Sequence, residues 1–278
     1  MAQQQMDHAI EDLTPDLARL RIAFVNVYFA GAPGGNAPWA LVDAGLAMGA
    51  ATILHVAAER FGVDARPAAI ILTHGHFDHV GCALSLAEEF DAPVYAHALE
   101  KPYLDGSTSY PPADPSVGGG LIALISPLFP TSPIDLGGRL LPLPEDGSVP
   151  GLAGWRWLHT PGHAPGHVSL WRESDRTLLA GDAVITTRPE SAYAAMRHRP
   201  ELHGPPTYFT PDWKSARQSV EALSRLMPEV LLAGHGHAMR GPQMRVALQR
   251  LAREFDHLAV PKHGRYRPAP ARAEDERG

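Results

Sequence analysis

Ala68-Ala69-Ile70-Ile71-Leu72-Thr73-His74-Gly75-His76-Phe77-Asp78-His79 decides the reading of this chain. Its first part, Ala68 to Leu72, is a short unbroken apolar run, the pattern of a strand buried on both faces. Its second part packs three imidazoles and a carboxylate into six positions, with the small Gly75 between the first two histidines. Neutral imidazole and carboxylate are the donors that a borderline divalent cation such as zinc prefers. A solvated polar loop with incidental histidines is the competing reading. It loses weight because the rest of the chain offers the donors that such a cluster lacks.

On either side, strand and helix patterns alternate. Arg21 to Ala30 reads as a strand, and Trp39 to Val42 as another that runs into Asp43-Ala44-Gly45. Met48 to Phe61 has apolar residues at helical spacing and stops at Gly62. Val80 to Phe90 reads as a helix and Pro93 to Ala96 as a strand. Further on, Trp155 to Leu158, Val168 to Trp171, Thr177 to Ala180 and Val230 to Ala233 are strand-like. Asp212 to Leu226 reads as a helix capped by Asp212, with Val220, Leu223 and Leu226 on one buried face. Pro242 to Phe255 closes the fold as a helix. The alternation argues for an α/β protein with a largely covered sheet.

Composition narrows the functional classes. The chain has 278 residues, a net charge of −6 and a 45% hydrophobic fraction, so it is long enough for a sizeable core and lacks a basic surface for nucleic acid. The polar, acidic stretch from Met1 to Leu20 has no signal-peptide pattern, and the apolar run Leu121 to Phe129 is too short to span a membrane. A cytoplasmic location, with no membrane or nucleic-acid partner, is the expectation. The single cysteine, Cys82, excludes an intrachain disulfide and reads as a small apolar residue on a buried helix face. Residues 1–20 are expected to form an N-terminal extension, 21–260 a single domain and 261–278 a flexible tail. Residues 104–135, rich in Pro, Gly and Ser, read as a lid or pocket wall, with a surface excursion or a homodimer contact equally open.

Donor-type side chains recur at four strand ends: the cluster His74, His76, Asp78 and His79; Thr160-Pro161-Gly162-His163-Ala164-Pro165-Gly166-His167; Ala180-Gly181-Asp182; and Gly234-His235-Gly236-His237. In this combination the chain resembles the metallo-β-lactamase superfamily, whose pattern is His-x-His-x-Asp-His, then a lone His, an Asp and a final His. The resemblance runs from about Asn26 to about Gly236. It implies an αββα sandwich of two mixed sheets flanked by helices, with metals along one edge. It also implies two divalent ions about 3.5 Å apart. His74, His76 and His163 would hold the first, Asp78, His79 and His235 the second, and Asp182 would bridge them. Zinc is the expected metal, with iron and manganese open. The implied chemistry is attack by a hydroxide shared between the ions, with Asp78 orienting the attacking water. His167 and Asp43 are candidates for orienting ligands, although a turn polar group or a helix cap explains each equally well.

Departures from subfamily patterns narrow the substrate. His76 is not the carboxylate of the diiron flavoproteins, and His79 and Asp182 are not the Arg and Cys of one class of true β-lactamases. Asp182 is similar to its counterpart in glyoxalase-type thioesterases and lactonases. No cationic cluster for glutathione stands near the C-terminal helix, and Val184 and Ile185 fall where acyl-homoserine lactonases carry a Tyr. The expected activity is hydrolysis of a small ester, lactone or thioester, in a pocket lined by Phe77, Tyr193, Tyr208, Phe209 and Trp213; core packing is the alternative for each. A mononuclear iron persulfide dioxygenase using His74, His163 and Asp182 stays open, as do β-lactamase or phosphodiesterase activity and a scaffold with a vestigial site.

Overall fold

A computed structural model describes residues 10–34, 37–117, 120–187 and 201–267. Chain order gives the strands β1 Ile10–Thr14, β2 Leu17–Ile22, β3 Val25–Ala30 and β4 Ala40–Val42, then helix α1 Ala50–Phe61. Strand β5 Ala69–Ile71 leads into helices α2 Phe77–Val80 and α3 Ala83–Phe90, followed by β6 Val94–Ala96, α4 Lys101–Leu104 and α5 Leu121–Ile125. Then come β7 Leu140–Pro142, β8 Ser148–Val149, β9 Leu152–His159, β10 Val168–Arg172 and β11 Thr177–Leu179. Helix α6 Trp213–Arg225, strands β12 Val230–Leu232 and β13 Met239–Arg240, and helices α7 Gly241–Arg253 and α8 Phe255–Leu258 follow.

The strands form two mixed sheets, one ordered β1-β2-β3-β4-β5-β6-β7 and the other β13-β12-β11-β10-β9-β8. Three apolar clusters account for the stacking. Leu41, Ile70 and Leu72 of the first sheet pack against Ile53, Phe61 and Leu86 of α1 and α3. Tyr28, Val42 and Ile71 meet Val168, Leu170 and Leu232 between the two sheets. Leu178 and Leu231 pack against Val220, Leu223 and Leu248 of α6 and α7. A sheet covered on both faces must be apolar on both, which is why Ala69–Ile71 and Val230–Leu232 are uninterrupted apolar runs. The result is the expected αββα sandwich.

Several boundaries differ from the sequence reading. Residues 10–20 are no extension: β1 and β2 pair with each other, and β2 pairs along its whole length with β3. The strand expected over 21–30 is therefore two strands, reversing at Ala23, whose φ is 55°. That tight turn lacks the Gly or Asn signal by which hairpins are read. The helix expected over 80–90 starts at Ala83, because Phe77–Val80 winds as a separate turn directly on the histidine cluster. Cys82 lies at that junction, buried, its Sγ donating to Leu46 O at 2.8 Å. Residues 261–267 of the expected tail lie against the domain: Tyr266 is buried and donates to Pro112 O at 2.6 Å, tying this stretch to the 104–135 segment. That segment folds back on itself through Tyr110 N to Thr131 O (3.0 Å) and Gly106 N to Ile134 O (2.9 Å). Among the described residues, no helix is long and apolar enough to cross a membrane.

Candidate metal centre

The site assembles at the ends of β5, β9, β11 and β12, where the two sheets abut. Val168 N donates to Thr73 O and Asn26 N donates to Gly234 O, both at 2.8 Å, so backbone bonds join a strand of each sheet to a loop of the other. Strands β11 and β12 are parallel neighbours, and their pairing continues through Gly234 N to Gly181 O at 2.8 Å. Asp182 and His235 are therefore brought side by side, with His235 Nε2 at 3.1 Å from Asp182 Oδ2. On the other side of the seam, His76 has extended backbone angles and opens α2, so Asp78 and His79 follow within the helix's first turn.

The expected donors converge. His74, His76 and His163 form one group, His74, His79 and Asp182 a second, and Asp78, His79 and His235 a third, with the donor atoms of each group within 4.8 Å of one another. His76 Nδ1 and His163 Nε2 are 2.9 Å apart, and Asp182 Oδ2 lies 3.5 Å from His163 Nε2. Asp182 thus stands between the first group and the third. Asp78 Oδ2 is 3.4 Å from His235 Nε2.

Second partners fix which nitrogen each ring presents. His79 Nδ1 is 2.8 Å from Asp43 Oδ2, a bond in which the ring N–H donates to the carboxylate. Asp43 also accepts from Thr73 N at 2.8 Å and from Thr73 Oγ1 at 2.9 Å. With its hydrogen committed to Asp43, Thr73 Oγ1 accepts from His74 Nδ1 at 3.1 Å. The Nε2 atoms of both His74 and His79 then face the cluster.

Electrostatics sorts the imidazoles into two kinds. Burial, reinforced by neighbouring histidines, holds His74 and His163 well below the ordinary histidine range and His76 at about 3. These three are neutral, as a cation ligand must be. Burial acts the same way on His79 and His235, but the carboxylates around them prevail and raise both. Burial opposes ionisation of Asp182, yet His235 and His79 beside it keep its carboxyl well below the usual range. Burial raises Asp78.

His74 Nε2, His79 Nε2 and Asp182 Oδ1 are buried without a hydrogen-bond partner. Orphaned buried polar atoms are costly and rare, and three around one point are accounted for by a bound cation. A Cβ placed on Gly234 would collide with Asp182 Oδ1 and come within 2.7 Å of His79 Cε1, so the backbone there passes as close as a glycine allows. The residues present fit a divalent cation.

Of the remaining candidates, His167 lies behind Asp182. Burial lowers it to about 4, so it is neutral, and its Nε2 accepts from Asp182 N at 2.9 Å while Nδ1 bonds to Thr160. Tyr208 is half-buried, its ring 6.2 Å from that of Phe129. Phe209 packs on His76 at 5.0 Å between ring centres. Trp213 sits in the core with Val220 and Phe255. Tyr193 lies outside the described residues. Two neighbours of the cluster were not anticipated: Glu100, fully buried, and Tyr110, whose ring is 4.3 Å from His76. Glu100 stands in Ala-Leu-Glu-Lys, which reads as an exposed helix turn, and only the tertiary fold turns it inward.

Two back-to-back sheets with helices outside and a buried His–Asp cluster on their common edge define a metal-binding αββα sandwich. The Metallo-beta-lactamase superfamily model matches residues 20–235, and the chain belongs to that superfamily. It is a metal-dependent hydrolase. It is 47% identical over 239 residues to the "Probable metallo-hydrolase YflN" of Bacillus subtilis (strain 168), covering 86% of this chain and 90% of that relative. Among solved structures, TTHA1623 in a di-iron-bound form superposes with a TM-score of 0.53 at 26% identity, over 82% of this chain and 92% of that one. A beta-lactamase domain protein from Burkholderia ambifaria gives a TM-score of 0.62 at 20% identity, over 91% of this chain and 75% of its own, a likeness of fold.

Proposed function

We propose that the chain is a binuclear hydrolase of small esters, lactones or thioesters, loaded with zinc and acting in the cytoplasm on a small-molecule substrate. His74, His76 and His163 would hold one cation, Asp78, His79 and His235 the other, with Asp182 between them. The observation that carries this reading is the presence of all seven donors around three orphaned buried atoms. A bound pair of divalent ions supplies Lewis acidity and a nucleophile at neutral pH.

The chain's own residues supply the rest. Asp43 and Thr73 fix the tautomers of His79 and His74, so that each ring presents Nε2 to the site. Asp78, a buried carboxylate, would accept a hydrogen bond from the attacking water and orient it. Phe129 stacks on Phe77 at 5.6 Å and lies 6.2 Å from Phe209, forming a wall on the His76 side. Phe77, Phe129 and Tyr208 are half-buried, so this wall can shield an apolar group of the substrate from water.

Hydrolysis of a panel of aryl and alkyl esters, lactones, thioesters, cephalosporins and phosphodiesters tests the proposal. Chelator-treated protein is compared with protein reloaded with zinc. Zinc-dependent turnover of carboxylic esters, lactones or thioesters is expected. Turnover confined to β-lactams or phosphodiesters, or none that zinc restores, would overturn the substrate assignment.

A further inference from the structure

A buried carboxylate that the reaction does not use stands behind the first ligand group. Glu100 has no exposure to solvent and no cationic partner among the described residues. Each of its oxygens is nevertheless engaged. Oε2 accepts from Gly75 N at 2.8 Å and from the Tyr110 hydroxyl, and Oε1 accepts from Gly166 N at 2.6 Å. Gly75 lies between His74 and His76, and Gly166 lies in the turn that holds His163 and His167. One carboxylate therefore ties together the two loops that supply His74, His76 and His163.

Both loops come as close to Glu100 as backbone can. A Cβ at Gly166 would lie 2.8 Å from Glu100 Cγ, and one at Gly75 would lie 2.7 Å from the Tyr110 hydroxyl. Tyr110 in turn belongs to the 104–135 segment and packs its ring on His76 at 4.3 Å. We propose that Glu100 is a positioning residue for cation binding. Its carboxylate holds the His74–His76 loop and the His163 loop at a fixed spacing, and Tyr110 links the 104–135 segment to that clamp. The proposal rests on the metal-centre reading above.

The requirement is for two acceptor oxygens. Glutamine in the same place has one acceptor and one NH2 group, so either Gly166 N–H or the Gly75–Tyr110 pair would face a donor instead of an acceptor. A residue that merely filled space would tolerate this isosteric change in its effect on the site. A clamp would not, because a ligand loop would be pushed off its position.

The test is titration of metal-free protein with cobalt(II), read by its visible absorption bands and by chelator competition. Wild type, Glu100→Gln and Tyr110→Phe are compared, with Leu223→Ala as a destabilised variant remote from the site. Partners behind metal ligands typically alter affinity by about 10- to 100-fold. Glu100→Gln is expected to weaken cobalt binding at least about tenfold and to change the absorption bands, Tyr110→Phe to act less in the same direction, and Leu223→Ala to leave both unchanged. Wild-type affinity and spectrum in both site variants would overturn the clamp. Should Glu100→Gln fail to fold, Tyr110→Phe decides alone: a wild-type result overturns the clamp and weakened binding supports it. Wild-type protein that binds no cobalt overturns the metal-centre reading itself, and the clamp with it.

Discussion

Gly234→Ala adds one carbon and two hydrogens to a 278-residue chain, and it should disable the centre while leaving the fold nearly intact. Gly234 lies between the end of β12 and His235, and its φ is not in the left-handed region, so alanine meets no backbone strain there. The added methyl instead points into the cluster, where it collides with Asp182 Oδ1 and sits 2.7 Å from His79 Cε1. Ordinary contact begins at 3.4 Å, so His79 must retreat by about 0.7 Å and Asp182 must turn away. His79 is held from behind by Asp43 at 2.8 Å and cannot retreat freely. Overpacking of this kind costs about 1–3 kcal/mol of stability. A displacement approaching 1 Å at a reacting centre costs about 100-fold in rate. The assay is metal content, melting temperature and kcat/KM, with Gly138→Ala as the control because a Cβ there meets nothing within 4 Å. We expect Gly234→Ala to fold, bind less metal and lose at least about 100-fold in kcat/KM. A wild-type metal complement with turnover within about threefold would refute the reasoning, since the orphaned atoms would then not surround a cation.

Three further predictions concern other parts of the molecule. Asp182→Ala removes the carboxylate that stands between the donor groups. It should weaken metal binding by more than the roughly 10- to 100-fold seen for outer partners and abolish turnover, as read by metal analysis and kcat; undiminished turnover would exclude a binuclear centre. Cys82→Ala loses a hydrogen bond to Leu46 O and should cost about 1 kcal/mol in urea unfolding with activity within twofold. A large loss of turnover in folded protein would give Cys82 a role at the site. His97 is held at about 4 by burial and by His159, which stacks on it at 4.2 Å. Its folded pKa lies below the ordinary 6.5, so between those values the unfolded chain binds more protons and stability falls as pH falls. His97→Phe should therefore flatten the melting temperature between pH 6.5 and 4 relative to wild type. An unchanged slope would mean that the ring titrates alike in both states.

The parts of the site that were legible in the sequence are those that chemistry confines to a local pattern. Ligands crowd onto a short loop after a buried strand, so His74, His76, Asp78 and His79 announce themselves, and Gly-flanked His163, Asp182 and His235 follow from the same logic. The helices α1, α6 and α7 were readable because their buried faces repeat every turn. What escaped depends on contacts far apart in sequence. Strands β7, β8 and β13 are at most three residues long and are recruited by their neighbours rather than by their own pattern. β1 and β2 were hidden because a strand pair closed at Ala23 carries no turn signature. Glu100 reaches Gly166 across 66 positions, and no local pattern distinguishes it from a solvated helix residue. For Trp213 the core-packing alternative holds: the ring joins Val220 and Phe255 in the helix-covered core.

The central claim is that the seven donors hold two redox-silent cations, and the most direct measurement is the metal content of freshly purified protein by mass spectrometry. The account predicts about two zinc ions per chain, falling to at most one in Asp182→Ala. About one iron per chain, with oxygen consumed during turnover of a persulfide, would contradict it and give the site to a mononuclear dioxygenase using His74, His163 and Asp182.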